Sequence, residues 1–262
     1  MFKALFFRQL LWCVFAIALI VFSLGISWQT SKSANFFYGF WYQTLEIHAV
    51  INKNVPKNSQ GKRDFPVDDF ELHQEKFADI VQAIHQQGMG LDDITYLGHH
   101  DIAQKLLTVS EVQHLQDVAN LLSSMVKFWW GNLFFLLMLV VFYCRKKNQQ
   151  TLPTSHQLIV ASASKMPTGK QKLIVLASFV LLVIFMLWLW GFTPIFYYLH
   201  TVIFPADHQW FFYYNESLMA TIMKAPDIFA AIATQLVVVA LLIAGTIDVI
   251  VSRYQNKTKK YF

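Results

Sequence analysis

Four apolar runs limit what this chain can fold into. They lie at about 9–28 (QLLWCVFAIALIVFSLGISW), 126–144 (VKFWWGNLFFLLMLVVFYC), 173–193 (LIVLASFVLLVIFMLWLWGFT) and 228–251 (IFAAIATQLVVVALLIAGTIDVIV). About 20 apolar helical residues cross the hydrocarbon core of a bilayer, so each run is a predicted transmembrane helix. Composition agrees. Of the 262 residues 55% are apolar and only 14% charged, against about 25% charged in a soluble domain. The expected fold is therefore mainly α: a four-transmembrane-helix bundle with a small extracytoplasmic cap.

The charges set the expected orientation, because cytoplasmic loops collect Lys and Arg. With the N-terminus inside, the cytoplasmic pieces hold Lys3, Arg8, Arg145, Lys146, Lys147, Lys165, Lys170, Lys172, Arg253, Lys257, Lys259 and Lys260, which is 12 of 21 basic residues. Asp248 is the one acidic residue near that side, and the other 15 fall in the two external segments. The chain then divides as follows: first transmembrane helix (1–28), extracytoplasmic cap (29–125), second transmembrane helix (126–144), cytoplasmic loop (145–172), third transmembrane helix (173–193), aromatic interfacial loop (194–227), fourth transmembrane helix with a basic tail (228–262). Both termini are cytoplasmic. The basic balance, with an isoelectric point near 9.1, is thus a topology signal. A nucleic-acid partner would need basic groups gathered on one soluble face, and none is expected. The first run looks like a signal peptide, but its apolar core exceeds the usual length of about 7 to 15 residues; an uncleaved anchor is expected.

The external segments carry the chemistry-bearing residues. In 29–125, the aromatic stretch 35–51 reads as an interface belt whose end is a candidate strand. Residues 68–88 read as an amphipathic helix from the spacing of Phe70, Phe77, Ile80, Val81 and Ile84, with Gly88 suited to its stop. Residues 91–101 read as loop or short strand. Thr108 and Glu111 have the spacing of a capping box, so a helix is expected to begin there and run into the second span. It brings Glu111, His114 and Asp117 to i, i+3 and i+6. A histidine near neutral pKa, oriented by a carboxylate, suits proton transfer; the plainer reading is a solvated helix face. His200, between an apolar run and the aromatic loop, needs a partner or water, and faces either His114 or a backbone carbonyl. One geometric demand follows. A straight helix puts His114 about 18 Å beyond residue 126, and His200 must travel as far to meet it.

Other arrangements are weaker. His99, His100 and Asp101 form a cluster that can bind zinc with His114 or His200, but no H-E-x-x-H or C-x-x-C spacing supports a metal. His48, His73, His85 and His208 read as surface or packing residues. No G-x-S-x-G elbow is present. Cys13 and Cys144 fall in or beside apolar runs and indicate no disulfide framework. Asp248 and Arg8 are a candidate structural ion pair.

Taken together, EVQHLQDV (111–118), YLHTVIF (198–204), Trp210 and NESLMATIMKAPDIF (215–229) resemble the motif order of the integral membrane family of the lipoprotein intramolecular transacylase Lit. The resemblance covers the topology of the whole chain, with specific motifs over about 40 residues. It implies a four-helix membrane bundle in a bacterial inner membrane, and an acyl transfer from the diacylglyceryl group of a lipoprotein to the amine of its N-terminal cysteine. It makes His114 and His200 the catalytic acid/base pair and Glu111, Asp117, Trp210 and Asn215 supporting residues. It implies neither metal nor cofactor, and its partners are the lipid bilayer and a diacylated lipoprotein substrate. Three positions depart from the family pattern. Ser110 and Ala119 stand where Arg and Lys are usual, and Pro205 replaces a Phe after H-x-x-F; these bear on substrate identity. The rival readings are a non-catalytic membrane protein that binds lipid or a partner through its aromatic loop, and a metal-dependent lipid hydrolase.

Overall fold

The computed structural model describes residues 2–98, 102–144 and 166–257. Among these the elements are α1 (Phe2–Ser33), α2 (Tyr38–Thr44), α3 (Ile47–Asn54), α4 (Phe70–His85), β1 (Thr95–Leu97), β2 (Ala103–Lys105), α5 (Val109–Cys144), α6 (Gly169–Trp190), α7 (Phe192–Ile203), α8 (Leu218–Met223) and α9 (Asp227–Lys257). Four helices are long and apolar enough to cross a membrane: Phe6–Ser33 of α1, Val109–Cys144, Gly169–Trp190 and Asp227–Gln255. Three of them contain their apolar runs whole, while the third run, 173–193, passes the end of its helix at Trp190 into α7. The His99-His100-Asp101 cluster and most of the expected cytoplasmic loop lie outside the described residues.

The chain forms two compact units. The first comprises Met1–Trp28, Lys127–Leu189 and Leu236–Phe262. Its core is an apolar cluster of Trp12, Phe15 and Leu19 from α1, Leu136, Leu139 and Tyr143 from α5, and Ala244 and Val251 from α9. Lipid offers no hydrogen bonds, so polar groups in such helices must find partners on neighbouring helices. Asn132 Nδ2 accordingly donates to the Ala18 carbonyl at 2.9 Å, and Gln255 Nε2 to the Tyr143 carbonyl at 3.1 Å. Asp248 pairs with Lys172 at 2.7 Å and accepts the Trp12 indole N–H at 3.2 Å. It does not pair with Arg8, which donates instead to Gln171 at 3.3 Å. Lys172 wins because it opens α6 and reaches Asp248 while its Nζ also meets Ser252 Oγ at 2.8 Å.

Close helix approach depends on Gly25. A Cβ there would overlap the Trp129 indole, whose Nε1 donates to the Phe22 carbonyl at 3.1 Å and whose ring stacks on Phe22. Gly25→Ala should therefore lower stability by about 1–3 kcal/mol through overpacking. Thermal unfolding of the purified protein in detergent checks this.

The second unit comprises Gln29–Val126 and Trp190–Gln235. Ile47, Ile51 and Val55 recur every four residues and are fully buried. That is a helical period, and it makes 47–54 the helix α3 rather than the expected strand end. α4 matches its expected span: Asp69 caps it by accepting from Leu72 N–H at 2.9 Å, and Gly88, at φ +85°, lies just past its end. Buried His73 of α4 lies within hydrogen-bonding distance of the Tyr42 hydroxyl and the Pro66 carbonyl, a packing role. Strands β1 (Thr95–Leu97) and β2 (Ala103–Lys105) form a short antiparallel pair, with Tyr96 opposite Gln104.

Two features position the site residues. The Thr108–Glu111 capping box forms as expected: the Thr108 N–H donates to Glu111 Oε2 at 2.6 Å and the Glu111 N–H to Thr108 Oγ1 at 3.3 Å. From this cap α5 runs unbroken for 36 residues. The stretch after α6, expected as an interfacial loop, begins instead with the helix α7 and, after the non-helical segment 204–217, holds the short helix α8. Gly191, at φ +74°, breaks α6 from α7, and Pro194 fits the first turn of α7, where a missing N–H costs nothing. α7 has 12 residues, and His200, the ninth of them, lies about 12 Å along it from Phe192 at 1.5 Å per residue.

Candidate functional site

His114 and His200 come together. His114 lies on the second turn of α5 and is 8% exposed; His200 lies near the end of α7. Their ring centroids are 6.0 Å apart. Nothing in the chain between them forces this pairing locally. It arises because aromatic side chains of the segment after α7 fill the space around both rings. Phe204 lies 4.9 Å from His114 and 5.1 Å from His200, Phe212 lies 5.9 Å from His114, and Trp210 lies 5.3 Å from His200. Phe196 packs on the other side of His200 at 4.1 Å.

The hydrogen bonds assign a role to each nitrogen. His200 Nδ1 is 2.7 Å from the Phe196 carbonyl, one turn back on α7. A carbonyl only accepts, so Nδ1 carries the proton and Nε2 presents a lone pair in the neutral ring. The carbonyl favours the charged ring, yet burial outweighs it, and the His200 pKa falls below the usual 6.5. Burial therefore favours the neutral form of His200, the form that can take a proton. His114 Nδ1 is buried without a hydrogen-bond partner among the described residues.

Neither carboxylate hydrogen-bonds to His114; Glu111 caps its helix, as the capping-box spacing led one to expect. Glu111 is fully buried. Besides capping α5 it accepts the hydroxyl of Ser217, and Ser217 in turn caps α8 by accepting from the Ala220 N–H at 2.8 Å. Asp117 does not meet His114; its Oδ2 is 2.6 Å from His208 Nδ1. The Trp210 ring lies tilted against that of His200. Asn215 is exposed, and its backbone carbonyl accepts from the Ser59 N–H at 2.8 Å. His208 was expected to be a surface or packing residue, Phe204 and Ser217 lay inside the motif stretches without an assigned role, and Phe212 was not singled out from the sequence. Of these, only Phe204 had a usable signal, its place four residues after His200.

Titration separates two of these histidines. Asp117 raises the His208 pKa above 6.5, chiefly through the hydrogen bond, whereas burial lowers that of His200. In a histidine ring NMR titration the His200 midpoint should fall below 6.5 and the His208 midpoint above it, and Asp117→Asn should bring the second one down.

Four bilayer-length helices and a pair of imidazoles enclosed by aromatic rings define a multi-pass membrane protein with a candidate acid/base centre. Among the described residues no three His, Cys, Asp or Glu side chains gather as a metal site. The family model for the lipoprotein intramolecular transacylase Lit matches residues 12–226, and the chain belongs to that family. No curated protein sequence matches it. Among solved structures, that of the membrane-integral lipoprotein intramolecular transacylase Lit from Bacillus cereus, a histidine-to-arginine variant, is similar. It is 13% identical, with 97% of this chain and 94% of that chain covered and a TM-score of 0.59, a likeness of fold.

Proposed function

We propose that this chain is an acyltransferase. It moves an acyl chain from the diacylglyceryl group of a lipoprotein to the α-amine of the same lipoprotein's N-terminal cysteine, at the outer face of a bacterial inner membrane, with both termini cytoplasmic. The observation that carries this reading is the 6.0 Å pairing of His114 and His200 among aromatic rings, in a chain of the Lit family.

The chemistry balances as one ester and one amine giving one amide and one alcohol. The amine nitrogen attacks the ester carbonyl, the new C–N bond forms, and the bond from that carbonyl to the glycerol oxygen breaks. His200, with Nδ1 bound to the Phe196 carbonyl, offers Nε2 to take the amine proton. His114 stabilises the developing oxyanion or delivers a proton to the departing glycerol oxygen. Positioned acid and base groups contribute about 10²–10⁴-fold each. Because amine and ester belong to one molecule, attack is effectively unimolecular, which contributes several kcal/mol more. Glu111 acts through the helix start and Ser217, Trp210 by packing on His200, and Asn215 through the backbone contact to Ser59.

Expression in a bacterium that makes diacylated lipoproteins, followed by mass spectrometry of a lipoprotein N-terminus, tests the reading. The expected product keeps the same mass, carries an amide-linked acyl chain at the cysteine nitrogen and has one free glycerol hydroxyl. An unchanged N-terminus with folded protein in the membrane would refute it.

A further inference from the structure

We propose that His208 is a positioning residue for the paired-histidine site, holding the segment between Phe204 and Phe212 against α5 through Asp117. This rests on the acyltransferase reading of that site. Asp117 lies three residues after His114 on α5, so its side chain leaves the same face about one turn on. His208 lies between Phe204 and Trp210 in sequence, and the rings of Phe204, Trp210 and Phe212 enclose the two histidines. The 2.6 Å contact from His208 to Asp117 therefore ties down the stretch of chain that builds this enclosure. Other hydrogen bonds of that stretch, from His208 N–H to the Pro205 carbonyl and from Gln209 Nε2 to the Phe211 carbonyl, are internal to it and do not fix it to α5.

The charged groups acting on His208 are Asp117 from α5 and Asp207 from its own segment, and both favour its protonated form. A charge-assisted hydrogen bond is roughly twice as strong as a neutral one. The clasp is thus strongest where His208 is an imidazolium, is fully present below pH 6.5, and weakens as pH rises through the raised pKa. Burial favours the neutral, proton-accepting form of His200, the form that a closed enclosure would serve.

The test uses the full-length protein in detergent micelles with a synthetic diacylated lipopeptide, comparing the natural chain with His208→Gln, Asp117→Asn and the double variant. At about pH 6, His208→Gln should lower kcat about two- to fivefold, and the gap should close toward about pH 8.5 as the natural clasp loses its charge. Asp117→Asn should behave alike, and the double variant should be no worse than either. Hydrogen exchange of backbone amides in 205–212 should quicken in His208→Gln at the lower pH. A loss that is constant across pH, additive effects in the double variant, or faster exchange with unchanged kcat would each overturn the proposal. If the natural chain transfers no acyl group, the acyltransferase reading fails; the exchange experiment then judges the clasp separately, and unchanged exchange overturns it too.

Discussion

Alanine at His200 or glutamine at His114 should lower the first-order rate of acyl transfer by about 10²–10⁴-fold, the range lost when a positioned acid or base is removed. The two should differ in detail. His200→Ala removes the nitrogen that accepts the amine proton, so raising the pH, which deprotonates the amine without help, should restore part of the rate. His114→Gln keeps most of the volume at a position only 8% exposed and leaves a hydrogen-bond donor, but no titrating group. Single-turnover mass spectrometry on a diacylated lipopeptide measures both. Losses below tenfold in both variants would mean that the two imidazoles are spectators. The double variant should lose little more than the worse single one if the rings act as a unit.

Glu111→Ala should be the most destabilising single change near the site, at about 3–5 kcal/mol. Three effects add. The Glu111 half of the α5 capping box, its bond from the Thr108 N–H, is lost, at about 1 kcal/mol. The buried Ser217 hydroxyl is left without its acceptor, at about 1–3 kcal/mol. Buried Lys62, whose Nζ donates to the Leu106 carbonyl at 2.7 Å, loses a carboxylate that supports its charge; its pKa already lies below the usual value because of burial, and Glu111 opposes that shift. Glu111→Gln keeps one acceptor oxygen and should cost less than half as much. For a chain of this size, 1 kcal/mol moves the unfolding midpoint by about 2–4 °C, so Glu111→Ala should melt about 10 °C lower in detergent. A shift under about 2 °C would show that the Glu111 contacts contribute nothing net.

How far the sequence revealed this structure depended on the range of the interaction. The four spans were legible because a bilayer dictates helix length and leaves little else to choose. The capping box at Thr108 and Glu111 and the amphipathic period of α4 were legible because they are local. α3 was not: aromatic residues crowd 35–51, and the period carried by Ile47, Ile51 and Val55 is only two turns long. α7 was mistaken for a surface loop for the same reason, since its Phe and Tyr residues match both an interface belt and a packed helix. The approach of His114 to His200 was anticipated by resemblance, not by spacing. The distant partners of the carboxylates had no local signal. Asp117 meets a residue 91 positions away and Glu111 one 106 positions away, and tertiary packing alone selects them.

α6 is held chiefly at one end. No residue of it is buried within the protein, and its side-chain bonds cluster at Gln171 and Lys172, to Arg8, Asp248 and Ser252. A helix anchored in that way is specified by its hydropathy more than by the identity of its residues. A scrambled library of 174–189 that preserved apolar content should therefore yield many working sequences, whereas the same scrambling of 109–119 should yield almost none. The chain thus contains one stretch that is free to drift and one that is not, and chemists seeking a place for a fluorescent or cross-linking side chain should begin with the first.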